Sequence, residues 1–420
     1  MEMERHLKES LILLKRNNMD NKPTVVMMGL GYIRLPTAAL IASRGINVTG
    51  VDVSQSVVDT INEGKIHIVE PELDGLVHHV VKNGLLMAST EPVTADVYLI
   101  AVPTPFKGKH VPDLAYVESA VTNIIPTLTK GALVILESTS PVGTTHKIRE
   151  IIYEERPDLK DEIYIAYCPE RVLPGNVIYE LEQNDRAIGG IDEASTDKAV
   201  SFYKNFVKGE LHKTNSQTAE MCKLVENSSR DVQIAFANEL SMICHKADIN
   251  VWELIRLANK HPRVNILQPG TGVGGHCIAV DPWFIVSEFP EEAKMIRAAR
   301  EINNYKTEWA IEKVKNAALQ FKIDNGRDAV IACMGLAFKP NIDDLRESPA
   351  LHVADQLSTD GFNVLFVEPN LREHSVYELT SLSDAKKKCD IMVFLVAHNE
   401  FKSLNGEIDM QVLDFCGVRN

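Results

Sequence analysis

Val25-Val-Met-Met28 runs without a break into Gly29-Leu-Gly31-Tyr-Ile-Arg34-Leu-Pro36, and a helical pattern follows from Thr37 to Arg44, closed by Gly45. A second apolar run, Val48–Val51, then ends at Asp52. This order of strand, glycine turn, helix, strand and acid leaves a chain few options. It is the opening βαβ unit of a parallel sheet whose first turn takes a dinucleotide. Gly29 permits the tight turn. Gly31 lets a pyrophosphate approach the backbone, and the helix N-terminus presents unpaired N–H groups to it. Asp52 is placed to accept hydrogen bonds from ribose hydroxyls and to repel a 2′-phosphate, so NAD is favoured over NADP.

One position breaks the fingerprint. Arg34 stands where a third glycine normally permits close packing of helix on strand. Its side chain must either displace the helix or swing toward the phosphates. The expectation is that Arg34 weakens or misplaces NAD.

The rest of the chain repeats the opening rhythm, then departs from it. Val97–Ala101, Leu133–Leu136 and Ile163–Tyr167 alternate with helical stretches, so residues 24–210 read as one doubly wound parallel-sheet domain. Residues 211–320 are nearly all helical, with Glu291–Leu319 as one long helix of the kind that builds dimer interfaces. From 321 to 420 the strands return as Ala329–Met334, Val364–Val367 and Ile391–Val396. The expected fold is α/β: two Rossmann-like doubly wound parallel-sheet domains joined by a helical domain with a long central helix. Residues 1–23 carry charges on both sides of a very short apolar run and read as a peripheral amphipathic helix. That run is too short for a signal peptide core or a membrane span.

Composition narrows the partners. Asp plus Glu number 58 against 44 Lys plus Arg, a net charge of −14, which argues against nucleic acid or an anionic membrane surface. The 7 cysteines are dispersed and form no CxxC pair, which points to a reducing, cytoplasmic setting and to no metal site.

The most informative stretch is Gly270-Thr-Gly-Val-Gly-Gly275-His-Cys277-Ile-Ala-Val-Asp281. Four glycines prevent regular structure and let backbone approach a ligand. The loop delivers Cys277, and Asp281 falls one helical turn later, on the same face if helix resumes. On spacing alone a nucleophile and an ordinary cysteine are both open. Upstream, Glu220, Lys223, Asn227 and Arg230 step by three, four and three along a predicted helix, Gln217–Cys244, and share one face. A functional face and a solvated stripe are both consistent with that. Further polar groups sit after strands or loops: Thr104 and Thr139, the run Glu170-Arg171-Val172, His261 with Arg263, and Lys339 with Arg346. Lys339 is placed to hold a nucleotide diphosphate.

At these residues the chain closely resembles the UDP-glucose/UDP-mannose dehydrogenase family. The resemblance is carried by GLGYIRLPTA, KIHIVEPEL, IAVPTPFKG, ESTSPVG, YCPERVLPG, AEMCKLVENSSRDVQIAFANEL, the run from Asn250 to Phe284, and GLAFKPNIDDLRESPA, and it covers nearly everything after the first twenty residues. It implies an NAD-binding domain at 24–210, a helical dimerisation domain at 211–320 and a UDP-binding domain at 321–420, in a homodimer or higher oligomer. KIHIVEPEL and the His261–Phe284 stretch, with His276 before the cysteine where glucose-type members usually have Ser, imply UDP-N-acetylmannosamine as substrate. The implied reaction takes C6 from alcohol to carboxylate with two NAD and water, for surface polysaccharide or glycan biosynthesis. In it Cys277 is the nucleophile and Lys223 the catalytic amine. Asp281 and Asn227 position water, and Glu170 and Thr139 belong to the same centre. Arg171, Val172, Lys223, Asn227, Arg230, His261, Arg263, Gly274 and Lys339 are the implied substrate contacts. The implied NAD contacts are Gly29, Gly31, Tyr32, Ile33, Arg34, Asp52, Thr104, Thr139 and Arg346. Three other readings stay open: the same chemistry on UDP-GlcNAc or UDP-glucose, a single-hydride dehydrogenase, and a non-catalytic UDP-sugar binder that Arg34 has disabled.

Overall fold

A computed structural model describes residues 22–420 except 69, 109, 173–174, 403, 405–409 and 420. The peripheral helix expected at 1–23 therefore lies almost wholly outside the described residues. The chain divides into two compact units, one up to Leu224 and one from Val225.

In the first unit, β1 is Val25–Met28, and α1, Arg34–Ser43, leads to β2, Val48–Val51. The strands continue as β3 (Leu86–Ser89), β4 (Val97–Ile100), β5 (Leu133–Leu136), β6 (Tyr164–Tyr167), β7 (Arg186–Gly190) and β8 (Leu211–Asn215). Helix α2 is Thr144–Glu155, and α3 is Glu193–Tyr203. The sheet order is β8-β7-β6-β5-β4-β1-β2-β3, so the six strands from the β3 edge keep the dinucleotide-fold order 3-2-1-4-5-6. Those six run parallel, while β7 is antiparallel to β6 and parallel to β8. The all-parallel expectation is thus corrected at one edge, where α/β sheets commonly add an antiparallel strand.

The sheet is doubly wound because both faces of each strand are apolar. Val25 and Met27 pack into one core cluster, and Val26 and Met28 into the other. Register sets the site. Met28 pairs with both Val51 and Ile100, and Ile100 with Leu136. The carboxyl ends of β1, β2, β4 and β5 are therefore level, and the loops beyond them share one edge.

Helix α1 begins at Arg34, three residues before the Thr37 start expected from the sequence. Pro36 does not delay it, because the N–H groups of the first turn need no intrahelical partner. α1 is not pushed off the sheet either, since Leu35, Ala38 and Ala39 are fully buried.

Helix α4, Ser216–Ala247, begins in the first unit and continues into the second. In the second unit come α5 (Asp281–Glu288), α6 (Lys294–Asn325), β9 (Val330–Met334), α7 (Pro349–Thr359), β10 (Asn363–Val367), β11 (Ile391–Phe394) and β12 (Gln411–Asp414). α6 is the long helix, but it starts three residues later than expected and runs to Asn325, where Gly326 closes it with φ +70°. The four strands pair in parallel in the order β10-β9-β11-β12. Here too the faces divide, with Ile331 and Cys333 in one cluster and Ala332 and Met334 in the other.

Candidate active site

The nucleotide-binding turn lies at the level edge of the large sheet. Gly29 leaves β1 with φ +94° and its N–H bonds to Val51 O at 2.7 Å. Asp52, half-buried, accepts Leu30 N at 3.0 Å on one oxygen and Ser54 N at 3.0 Å on the other. One acid thus ties the turn to the end of β2. Tyr32 is 40% exposed, and its hydroxyl donates to Glu70 at 2.8 Å. Glu70, buried, also accepts Val177 N at 2.9 Å and Gly175 N at 3.1 Å, and so ties two loops far apart in sequence. Thr104 Oγ1 donates to the Thr139 carbonyl at 2.7 Å, joining the loops after β4 and β5.

Arg34 takes the second of its two routes. Its Nη1 lies 3.3 Å from where a Cβ on Gly31 would stand, and its Cδ 3.3 Å from one on Gly29. Burial lowers its pKa, against the charges of Glu137 and Asp52.

Behind the turn sits a buried polar cluster. Glu137, at the end of β5, is pushed up to about 7 by burial and by Glu170, although Arg186, Tyr203 and Arg34 oppose the shift. The Tyr203 hydroxyl donates to it at 2.6 Å. Arg186, 3% exposed, reaches Glu170 at 3.4 Å. Glu170 also accepts Arg171 N at 2.6 Å and Val172 N at 3.1 Å, while the Val172 side chain packs against the core. Burial raises the neighbouring Cys168 thiol to about 11, which makes it inert.

The second unit holds the other half of the expected site. The Gly270–Gly275 loop is fastened on several sides. Gly270 N bonds Asn238 of α4 at 2.9 Å, Thr307 of α6 donates to Thr271 O at 3.1 Å, and Thr271 Oγ1 donates to Leu395 O at 2.7 Å. Gly275 N bonds Arg346 O at 3.1 Å, and a Cβ on Gly275 would meet the Phe338 ring at 2.9 Å. The glycines are therefore spent on packing the loop flush against the 338–349 segment. Asn238 is itself held by Asn303 at 2.9 Å, and Asn303 by the buried Asp231–Arg300 pair, whose oxygen and nitrogen are 2.7 Å apart.

From this loop Cys277 emerges half-buried, and Asp281 N returns to its carbonyl at 2.8 Å, at the first turn of α5. Asp281 is 3% exposed, and Asn227 Nδ2 donates to it at 2.5 Å. The structure thus brings Asn227, Asp281 and Cys277 together. Arg346 forms a fork with Asp344, which raises its pKa against the opposing effect of burial. Lys339 is exposed just beyond β9. His261 and Arg263 are exposed on their own loop, and Arg230 is exposed on α4. Lys223 is half-buried.

Glu220 corrects the idea of a single functional face. It is fully buried, and its carboxylate accepts Gly143 N at 2.6 Å, Thr145 N at 2.7 Å and Thr145 Oγ1 at 2.6 Å. It caps the start of α2, where a carboxylate offsets the orphan N–H groups and the helix dipole.

Residues 23–207 match the NAD binding domain of the UDP-glucose/GDP-mannose dehydrogenase family, 217–305 its central domain and 332–414 its UDP binding domain. The chain belongs to this family. Its second namesake is thus GDP-mannose, where the sequence reading has UDP-mannose. The UDP-N-acetyl-D-mannosamine dehydrogenase of Escherichia coli K12 is 56% identical over 94% of this chain and 99% of its own. The NDP-N-acetyl-D-galactosaminuronic acid dehydrogenase of Ralstonia nicotianae is 52% identical over 91% of this chain and 92% of its own. The solved UDP-D-ManNAc dehydrogenase of Pyrococcus horikoshii superposes with a TM-score of 0.84 at 38% identity, covering 94% of this chain and 96% of that one.

As a family member the chain is an NAD-dependent oxidoreductase that binds a UDP-sugar through its UDP-binding domain. The glycine turn and Asp52 fit a dinucleotide once Arg34 Nη1 moves, and that atom is the far end of a flexible side chain. Among the described residues no helix is long and apolar enough to cross a membrane.

Proposed function

We propose that this dehydrogenase oxidises C6 of UDP-N-acetyl-D-mannosamine to the carboxylate, using two NAD per sugar, in the cytoplasm and for glycan biosynthesis. The observation that carries the reading is the Asn227–Asp281–Cys277 arrangement, with Cys277 delivered by a loop fastened at both ends. The E. coli relative supports the choice of sugar.

Bound NAD supplies a hydride acceptor, which this reaction needs twice. Lys223 holds the C6 oxygen as its proton passes to solvent and negative charge develops on it. Cys277 Sγ adds to the aldehyde carbon, so that the intermediate stays attached as a thiohemiacetal and then as a thioester. Water cleaves the thioester and returns the thiol. Asp281, oriented by Asn227, takes the proton of that water. Glu170 is the weaker candidate for this proton, because its oxygens already face two backbone N–H groups and Arg186. Thr139 remains assigned to the reacting centre, and Lys339 to the diphosphate of the substrate. Phe236 and Ile243 on α4, with Tyr305 on α6, are all more than half exposed and support a homodimer built on these helices.

The test is NADH formed per sugar consumed. UDP-N-acetylmannosamine is expected to give two, and Cys277→Ser to lose activity by at least about a thousandfold. One NADH per sugar would sink the covalent mechanism. Faster turnover of UDP-GlcNAc or UDP-glucose would move the substrate assignment and leave the chemistry in place.

A further inference from the structure

The seat of the dinucleotide pyrophosphate is the space over Gly31, because only a residue without a side chain lets phosphate reach that backbone. In this chain the space is taken. Arg34 Nη1 stands 3.3 Å from the point a Gly31 Cβ would occupy, so the guanidinium fills the seat much as a side chain at Gly31 would. The rest of the side chain lies across Gly29, with Cδ 3.3 Å and Nη1 3.6 Å from its Cβ point.

What keeps it there is charge. Glu137 beyond β5 and Asp52 beyond β2 both draw on the guanidinium, Glu137 more strongly. Among the described residues no hydrogen bond fixes the guanidinium. It also stands at the first residue of α1, where the helix dipole disfavours a cation. The group is thus half-desolvated, poorly bonded and held by two carboxylates. A side chain so held is a removable occupant and not part of the packing.

We propose that Arg34 competes with NAD for the pyrophosphate seat, so that NAD binds only when the guanidinium leaves its place over Gly29 and Gly31. The inference rests on NAD as the cofactor but not on the sugar or on the covalent step. Apparent affinity is then the intrinsic affinity multiplied by the fraction of molecules with the seat open.

The experiment measures binding to the full chain by calorimetry, without substrate or turnover, so its failure is distinct from a failure of the NADH assay. NAD, ADP-ribose and adenosine are titrated against the wild type, Arg34→Gly and Arg34→Ala. If the seat is open in about one molecule in ten, both variants bind NAD and ADP-ribose about tenfold more tightly. Adenosine, which has no phosphate, binds all three alike. Glu137→Gln removes the stronger tether, so it tightens NAD binding in the wild type and adds nothing when Arg34 is already Gly. Unchanged affinity in both Arg34 variants overturns the proposal. So does weaker binding confined to NAD and ADP-ribose, which would make Arg34 a phosphate ligand.

Discussion

Two turns in the molecule share one wiring. In the first, β1 leads into Gly29, and Asp52 at the end of β2 accepts the Leu30 N–H at 3.0 Å. In the second, β9 leads into Gly335, and Glu368 at the end of β10 accepts the Leu336 and Ala337 N–H groups at 2.7 and 3.0 Å. The second turn is closed. Glu368 is 4% exposed and also accepts Asn370 N at 3.0 Å and His398 Nε2 at 3.0 Å. His398 Nδ1 takes the Asn341 N–H, so the proton of a neutral ring sits on Nε2, facing the acid. A Cβ on Gly335 would strike Val396 at 2.6 Å. Among the described residues only the movable end of Arg34 stands over Gly31 of the first turn. The same local device serves as structure where the protein's own side chains saturate it, and as a binding site where they leave it open.

Removal of the two acids separates the two turns most strongly. Glu368→Ala leaves the buried Leu336 and Ala337 N–H groups and the Nε2 side of His398 without their acceptor, at roughly 3 kcal/mol or more. Asp52→Ala exposes its donors to water and costs about 1 kcal/mol, while NAD affinity falls. Denaturation midpoints of the two variants check this. Equal destabilisation would mean that Asp52 is structural too.

Buried acids in the two units also titrate with opposite signs. Glu137 is raised from 4.5 to about 7, first by burial and then by Glu170. Between those values the native state binds more protons than the unfolded chain, so stability falls as pH rises through the window, by about 3 kcal/mol. Glu368 is lowered from 4.5 to about 2: burial works against the shift, but the His398, Leu336 and Asn370 bonds outweigh it. Its contribution is present above about 4.5 and is lost as pH falls toward 2, again by about 3 kcal/mol. Melting of the wild type and Glu137→Gln between pH 5 and 7 separates the two. The variant is expected to lose the downward slope, and parallel curves would remove Glu137 as its source.

The open turn was legible in the sequence, and so was the Cys277–Asp281 turn, because both are written in consecutive residues with a fixed spacing. What escaped was written across distance. Glu70 gave no local sign that it holds Tyr32, Gly175 and Val177, and Glu220 looked like part of a charged stripe although it caps α2 from 75 residues away. β7 reads Arg-Ala-Ile-Gly-Gly and β8 is mostly polar, so neither carries the apolar run that revealed β1 or β5. The direction of Arg34 could be narrowed to two routes from the sequence, and burial of the inner face of α1 decided between them.

The glycines of the two turns differ in the same sense, and Gly31 carries the smallest expected effect on stability. Gly335 has φ +92°, where an L side chain is strained, and its Cβ direction points into Val396. Gly335→Ala therefore adds backbone strain to a clash, and about 2 kcal/mol is expected. Gly31 has no positive φ, and a Cβ there would meet only the movable end of Arg34. Gly31→Ala is expected to leave the melting midpoint within about 0.5 kcal/mol of the wild type. Yet NAD affinity falls, because the methyl group closes the seat and, unlike the guanidinium, cannot swing away. A Gly31→Ala protein that melts early and binds NAD normally would reverse the reading of both turns, since it would make the first glycine a packing residue like the second.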